Sequence, residues 1–164
     1  MAAETAANGR KLESVWDYPR PPRVEPVGRT VRVEVGGEVI AHSDRAVRVL
    51  ETSSPPAIYL PPEDVREGAL RPVSGHSVCE WKGTASYFDA AGGGEVAERA
   101  AWGYPAPNPR YTELRDWVSF FPARVGAAYL DDERVTPQAG AFYGGWVTAE
   151  IQGPMKGEPG TESW

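Results

Sequence analysis

The chain has 164 residues, a formal net charge of −6 and 41% hydrophobic residues, which predicts one domain with a substantial core. Its 16 prolines and 18 glycines interrupt the chain often, so short strands are favoured over long helices. The sequence has no basic stripe of the kind that binds nucleic acid, and no apolar run approaches the ~20 residues of a membrane span. We therefore expect neither nucleic-acid binding nor membrane insertion.

Composition divides the chain into three parts. Residues 1–26 are a proline-rich arm that we expect to be partly disordered, residues 27–135 form a β domain, and residues 136–164 are a Gly/Pro-rich tail with a short strand. Residues 1–22 lack the apolar core of a secretory signal, and a single cysteine excludes an internal disulfide. These features indicate a soluble, cytoplasmic protein.

The arm carries two aromatic side chains, Trp16 and Tyr18, that are costly to leave in water. Prolines on both sides favour an extended path over residues 14–23. The arm is therefore expected to dock either on its own domain or on a second subunit.

A β-hairpin is predicted where Gly36-Gly37 separates two runs of strand-forming residues. A two-residue loop pairs Val35 with Glu38, Val33 with Ile40 and Val31 with His42. His42 would then lie on the apolar face, either as a partnered histidine at the edge of the core or at the lip of a pocket. A third strand over residues 46–51 is expected to run antiparallel to the second.

Further short elements follow along the chain. A proline and two acids near the start of residues 61–66 predict one or two helical turns. Strands are predicted over residues 57–60, 84–88, 95–102, 117–121, 125–130 and 146–151. Together they predict a mainly β fold, either a small antiparallel barrel or a two-sheet sandwich.

The stretch from His76 to Tyr87 concentrates the unusual side chains of the chain. If residues 77–82 form one strand, Cys79 and Trp81 point to one face, and Glu80 and Lys82 to the other. Gly83 would mark a bulge or a close approach of the backbone.

The same stretch carries a resemblance to a known family. An ordered series of short motifs resembles the DUF427 family across roughly residues 29–130: Ser43-Asp44-Arg45-Ala46, Val49-Leu50-Glu51, Tyr59-Leu60-Pro61, Asp64-Val65, Cys79-Glu80-Trp81-Lys82-Gly83-Thr84-Ala85-Ser86-Tyr87 and Ala100-Ala101-Trp102-Gly103-Tyr104. The arm and the Gly144-Gly145-Trp146 segment resemble those of longer members. Glu80 stands where the family pattern has proline. The resemblance implies a compact, mostly antiparallel β domain.

The family is also labelled nucleotidyltransferase-like. Such enzymes show a Gly-Ser turn followed by closely spaced aspartates that hold metal ions near phosphate. This sequence has no Gly-Ser pair, and Asp131-Asp132 stand in an acidic, hairpin-like segment. The resemblance therefore leaves open whether a reaction is catalysed and whether a cofactor is used.

Two side chains are candidates for chemistry. Cys79 is either a small buried cysteine or a nucleophile activated by a nearby cation. Lys82 is either an exposed partner of Glu80, an ion pair worth under ~1 kcal/mol, or a cation at a pocket. A metal site from Cys79, His76 and His42 lacks paired-ligand spacing, so no metal is predicted.

Two functions remain. The first is a pocket for a small anionic or nucleotide-like ligand, since aromatic and cationic groups together suit such a molecule. Its predicted lining is Arg45, Tyr59, Lys82, Gly83, Tyr87, Trp102, Tyr104 and His42. The second is an interaction module, a homodimer formed through residues 14–23 and 144–164, with the β domain as scaffold.

Overall fold

A computed structural model describes residues 5–79, 81–140 and 143–161. The chain forms fifteen strands among these residues, most of them short. They are β1 Glu13–Ser14, β2 Arg23–Pro26, β3 Val31–Val35, β4 Glu38–Ser43, β5 Val47–Leu50, β6 Ala57–Tyr59, β7 Leu70–Cys79, β8 Gly83–Gly92, β9 Glu95–Gly103, β10 Val118–Phe120, β11 Ala127–Leu130, β12 Glu133–Arg134, β13 Thr136–Pro137, β14 Trp146–Val147 and β15 Ile151–Gln152. Three 3₁₀ helices span Val15–Asp17, Pro62–Asp64 and Pro109–Leu114.

The strands form three main antiparallel sheets. One has the order β10-β9-β8-β7, the second β12-β11-β3-β4 and the third β2-β5-β6. Parallel strands β1 and β15 join the arm to the tail, and antiparallel strands β13 and β14 pair within the tail. The mainly β prediction is confirmed. Of the two predicted alternatives, the barrel is not formed, because β7 ends its sheet as an edge strand and no sheet of the described residues closes.

The first hairpin departs from the predicted register. Val35 does pair with Glu38, but a β-bulge then leaves Ile40 without an opposite partner, so Val33 pairs with Ala41. One extra residue moves every later side chain to the other face. His42 therefore pairs with Arg32 and is exposed, and its predicted place on the apolar face is wrong.

The third strand also has other neighbours than predicted. β5 pairs with β2 and β6 and has no ladder to β4. The chain leaves β4 at Ser43, whose hydroxyl bonds Asp64 at 2.6 Å, and the turn at residues 44–46 redirects it into the third sheet. Tyr59 at the end of β6 thereby reaches the face of β8 and β9 that carries the candidate site.

The apolar core lies between the first two sheets. Its largest fully buried side chain is Trp146, which comes from the tail and donates its indole N–H to the Phe120 carbonyl at 2.9 Å. Burying an indole with its one donor satisfied stabilises the fold by a few kcal/mol, at about 25 cal/mol per Å² of apolar surface. The tail is therefore part of the folded unit.

The arm packs on its own chain. Val15 is fully buried, the Trp16 indole donates to the Pro154 carbonyl at 2.8 Å, and the Tyr111 hydroxyl donates to the Pro22 carbonyl at 2.7 Å. Docking of this arm on a second subunit stays a prediction. No helix among the described residues is long and apolar enough to cross a membrane.

A buried arginine joins the three parts of the chain. The Arg29 side chain is 7% exposed and forms ion pairs with Asp131 at 3.1 Å, Glu133 at 3.1 Å and Glu150 at 3.8 Å. Asn8 of the arm donates to both Glu133 and Glu150 at 2.8 Å. Removing the guanidinium would leave three partly buried carboxylates close together.

We expect Arg29→Ala to lower the free energy of unfolding by about 3–5 kcal/mol, because it breaks a buried charge network. Arg23→Ala is the matched control: Arg23 pairs with Glu25 at 3.3 Å with its side chain 56% exposed, and such a pair contributes under ~1 kcal/mol. Urea denaturation of both variants measures the difference. Equal effects would contradict a structural role for Arg29.

The same network predicts that the stability of the fold depends on pH. The Thr30 amide and the Arg29 guanidinium lower the pKa of Asp131. For Glu133 burial raises the pKa, but the bonds from Asn8, Ala149 and Arg29 outweigh it and the net shift is downward. Carboxyl groups with lowered folded pKa values add stability that is full above their unfolded pKa and is lost as pH falls through the folded one. We therefore expect stability to fall below about pH 4, and to fall less in Arg29→Ala. Urea denaturation midpoints measured across this pH range give the stability of both proteins. An equal loss of stability in wild type and Arg29→Ala would contradict the expectation.

Candidate functional site

A cavity of about 320 Å³ opens between the β7–β8 turn, the face of β8 and β9, and the tail. The β domain supplies most of its wall with Glu51, Ser54, Pro55, Ala57, Tyr59, Ser77, Val78, Cys79, Trp81, Lys82, Ala85, Tyr87, Trp102, Tyr104 and Phe121. The tail supplies Gln138, Tyr143, Gly144, Gly145 and Lys156. Aromatic walls with a few polar groups at this size are typical of small-molecule sites.

The predicted strand over residues 77–82 is wrong, because the chain turns there. β7 ends at Cys79, which pairs with Gly83 at the start of β8. Gly83 adopts φ +115, a conformation that favours glycine. Lys82 consequently lines the same cavity as Cys79 instead of the opposite face. The predicted Glu80–Lys82 pair lies outside the described residues.

Asn108 holds this turn in place. Its backbone N–H donates to the Lys82 carbonyl at 2.9 Å, and its side-chain amide donates to the Trp81 carbonyl at 2.8 Å. The Lys82 N–H in turn donates to the Cys79 sulfur at 3.4 Å. With the backbone on both sides of its Cα fixed, Lys82 can direct its side chain inward. The predicted backbone approach at Gly83 is thus made by the loop at residues 106–108, and Gly83 does not line the cavity.

Lys82 is buried, with 7% of its surface exposed. It has no ion-pair partner among the described residues, and its ammonium nitrogen lies 5.9 Å from the centre of the Tyr104 ring. The exposed-lysine interpretation is therefore wrong. Burial lowers the pKa of Lys82, but its interactions with Tyr104, Cys79 and Glu51 outweigh that effect and raise the pKa overall. The upward direction favours the protonated form of Lys82.

Four of the predicted aromatic residues come together around this cation. The Trp102 indole donates to the Tyr59 hydroxyl at 3.1 Å, and the two rings meet edge to face at 6.0 Å. Tyr104 lies 6.4 Å from Tyr59, and Tyr87 completes the wall with its outer face against Arg99. Burial raises the pKa of both Tyr59 and Tyr104, so these phenols stay neutral.

Cys79 is half-buried and lines the cavity beside Lys82. It is thus neither a fully buried core cysteine nor a surface thiol. The other two predicted lining residues lie elsewhere. Arg45, with its side chain 57% exposed, pairs with Asp64 at 2.9 Å, and His42 is exposed on the opposite hairpin.

The tail residues in the wall were not predicted. Gln138 organises them: its amide donates to the Lys156 carbonyl at 2.6 Å, and its oxygen accepts the Gly145 N–H at 3.0 Å. Gly144 packs against Trp102, where a Cβ would lie 2.4 Å from the indole ring. The consecutive glycines before Trp146 were the only sequence signal for this close approach.

A second cavity of about 230 Å³ surrounds Arg29 and Arg48. These cations are already compensated, since Arg48 pairs with Glu13 at 2.8 Å and Glu25 at 2.7 Å. That leaves the Lys82 cavity as the stronger candidate site. Within residues 5–79, 81–140 and 143–161, no three His, Cys, Asp or Glu side chains are grouped as metal ligands would be.

Comparison with known proteins identifies the family. The profile of the family described as Domain of unknown function (DUF427) matches residues 23–131, so the chain belongs to that family. No curated protein matches the chain. The matched region contains Lys82, Cys79 and the four aromatic residues, whereas Gln138, Tyr143 and Lys156 lie beyond it.

We expect Gly144→Ala to destabilise the chain by about 1–3 kcal/mol, because the added methyl overpacks against Trp102. Trp102→Leu opens space there, so the double variant should lose less stability than the sum of the two single variants. Urea denaturation of the four proteins measures this coupling. Additive losses would show that Gly144 and Trp102 do not pack together.

Proposed function

We propose that this chain binds a small, planar, anionic molecule in the Lys82 cavity. The observation that carries the proposal is Lys82, which is 7% exposed, lines the cavity and lacks an ion-pair partner among the described residues. A buried charge is usually paired, because removing it from water without a partner costs several kcal/mol. An anionic ligand group would supply that partner.

The aromatic wall supports a planar ligand. Tyr59, Tyr87, Trp102 and Tyr104 are buried, and Trp81 also lines the cavity. Rings of this kind stack on flat ligands, with aromatic pairs worth about 0.5–1.5 kcal/mol beyond area burial. A single aromatic ring system with one carboxylate or phosphate suits a cavity of about 320 Å³.

The charged side chains that line the cavity also favour an anionic ligand. Lys156 of the tail lies at the cavity with its ammonium 5.7 Å from the Tyr143 ring. Glu51 is the one carboxylate of the described lining and balances one of the two cations. The neutral phenols of Tyr59 and Tyr104 can act as donors or acceptors at neutral pH.

The test compares matched anionic and neutral ligands. We expect 2-naphthoate to bind more tightly than 2-naphthamide, and Lys82→Met to weaken 2-naphthoate by about tenfold or more, since a charge-assisted hydrogen bond is worth about 1.5–3 kcal/mol. Isothermal titration calorimetry measures both, and adenosine monophosphate serves as the nucleotide-like probe of the same class.

Lys11→Met is the control, because it makes the same chemical change at an exposed lysine outside this cavity. Thermal unfolding of both variants checks that the fold is retained. Equal affinity of wild type and Lys82→Met for every planar anion that binds would contradict the proposal. So would tighter binding of the neutral amide.

A further inference from the structure

We infer that Cys79 is a nucleophilic modification site, placed to react with small electrophiles that carry a carboxylate. The inference deepens the proposed function and rests on it, because Lys82 would hold the carboxylate while the thiol reacts. It goes beyond binding, since it assigns a covalent step to a particular sulfur.

Position is the first support. Cys79 is half-buried and lines the same cavity as Lys82, so a molecule inside can reach the sulfur. Cys79 is the last residue of β7, paired with Gly83 across the turn, which keeps its backbone fixed. The sulfur is thus presented from a rigid element.

The Cys79 sulfur lies beside a hydrogen-bond donor and a lysine. Thiolate is the nucleophile, and nearby cations and N–H donors stabilise it. The Lys82 N–H points at the sulfur at 3.4 Å, and the Lys82 ammonium interacts electrostatically with Cys79. Tyr59 and Tyr104 are neutral, and Glu51 is the carboxylate of the described lining that opposes this effect.

Lys82 supplies the independent evidence for a ligand. Lys82 is 7% exposed, has no ion-pair partner in the part of the chain that the structure describes, and lines the cavity. A carboxylate paired with Lys82 would lie in the cavity that Cys79 also lines. Recognition and reaction thereby use two residues of one turn.

Iodoacetate is a probe with the required chemistry. The thiolate sulfur forms a bond to the methylene carbon, the carbon–iodine bond breaks, and iodide leaves with the electron pair. The proton of the thiol goes to water. Iodoacetamide undergoes the same displacement without the negative charge, so the ratio of the two rates isolates the effect of charge.

The experiment follows alkylation of the full-length chain by intact-protein mass spectrometry. Because Cys79 is the only cysteine, each added mass reports this site. We expect the iodoacetate-to-iodoacetamide rate ratio to be about tenfold higher for the native chain than for N-acetylcysteinamide, as a close opposite charge predicts. Lys82→Met should lower the ratio to that of the free thiol, while Lys82→Arg and the control Lys11→Met should keep it high.

Two results would overturn the inference. One is the same ratio in wild type, Lys82→Met and the free thiol. The other is a native Cys79 that neither reagent labels, although both label it after unfolding in urea. If Lys82→Met does not fold, the rate ratio of native wild type compared with that of N-acetylcysteinamide still tests the inference, and equal ratios would overturn it.

The outcomes separate this inference from the proposed function. If Lys82→Met weakens 2-naphthoate but leaves the alkylation ratio unchanged, the binding pocket stands and the nucleophile is wrong. If neither measurement responds to Lys82→Met, both proposals are wrong.

Discussion

The candidate site depends on the burial of one ammonium group. A lysine inside a protein loses hydration that only an opposite charge, an aromatic face or hydrogen bonds can replace. Around Lys82 the structure provides the Tyr104 ring and the Cys79 sulfur, and no ion-pair partner among the described residues. The turn at Cys79–Gly83, clamped by Asn108, imposes this burial. Position and charge together support the proposed anion site.

The tail gives this chain a more enclosed cavity than its family domain would have alone. The match to the DUF427 family ends at residue 131, while Gln138, Gly144, Gly145 and Lys156 form one wall. Trp146 fixes that wall to the core through its buried indole, and Arg29 fixes the following segment through Glu150. The segment that forms one wall of the cavity is therefore also part of the folding unit.

Sequence patterns predicted the local features and failed on non-local ones. Alternation and the Gly36-Gly37 loop identified the first hairpin, and the motif series identified the family, because both signals lie within short stretches. The bulge after Val39 was not predicted, because the sequence shows no glycine or proline there. The bulge places His42 on the face opposite to the predicted one. The four predicted aromatic residues and Lys82 line one cavity, whereas Arg45 pairs with Asp64.

The turn at residues 79–83 shows why patterns alone could not complete the site. Its residues alternate as a strand would, but Gly83 at positive φ and the Asn108 contacts 25 or more positions away reverse the chain. Tail residues such as Lys156 reach the cavity only because the tail packs around Trp146 and Gln138. Such contacts between distant positions have no periodic signature in one sequence.

The most direct test of the Lys82 pocket is NMR of the chain labelled with ¹³C at the lysine ε carbons. Lysine occurs only at Lys11, Lys82 and Lys156, so the spectrum is simple. The signal that is lost in Lys82→Arg belongs to Lys82. We expect 2-naphthoate to shift the Lys82 signal strongly, to leave the Lys11 signal in place, and to have a larger effect than 2-naphthamide. A Lys82 signal that stays fixed while the anion binds elsewhere, or that responds equally to the neutral amide, would contradict it.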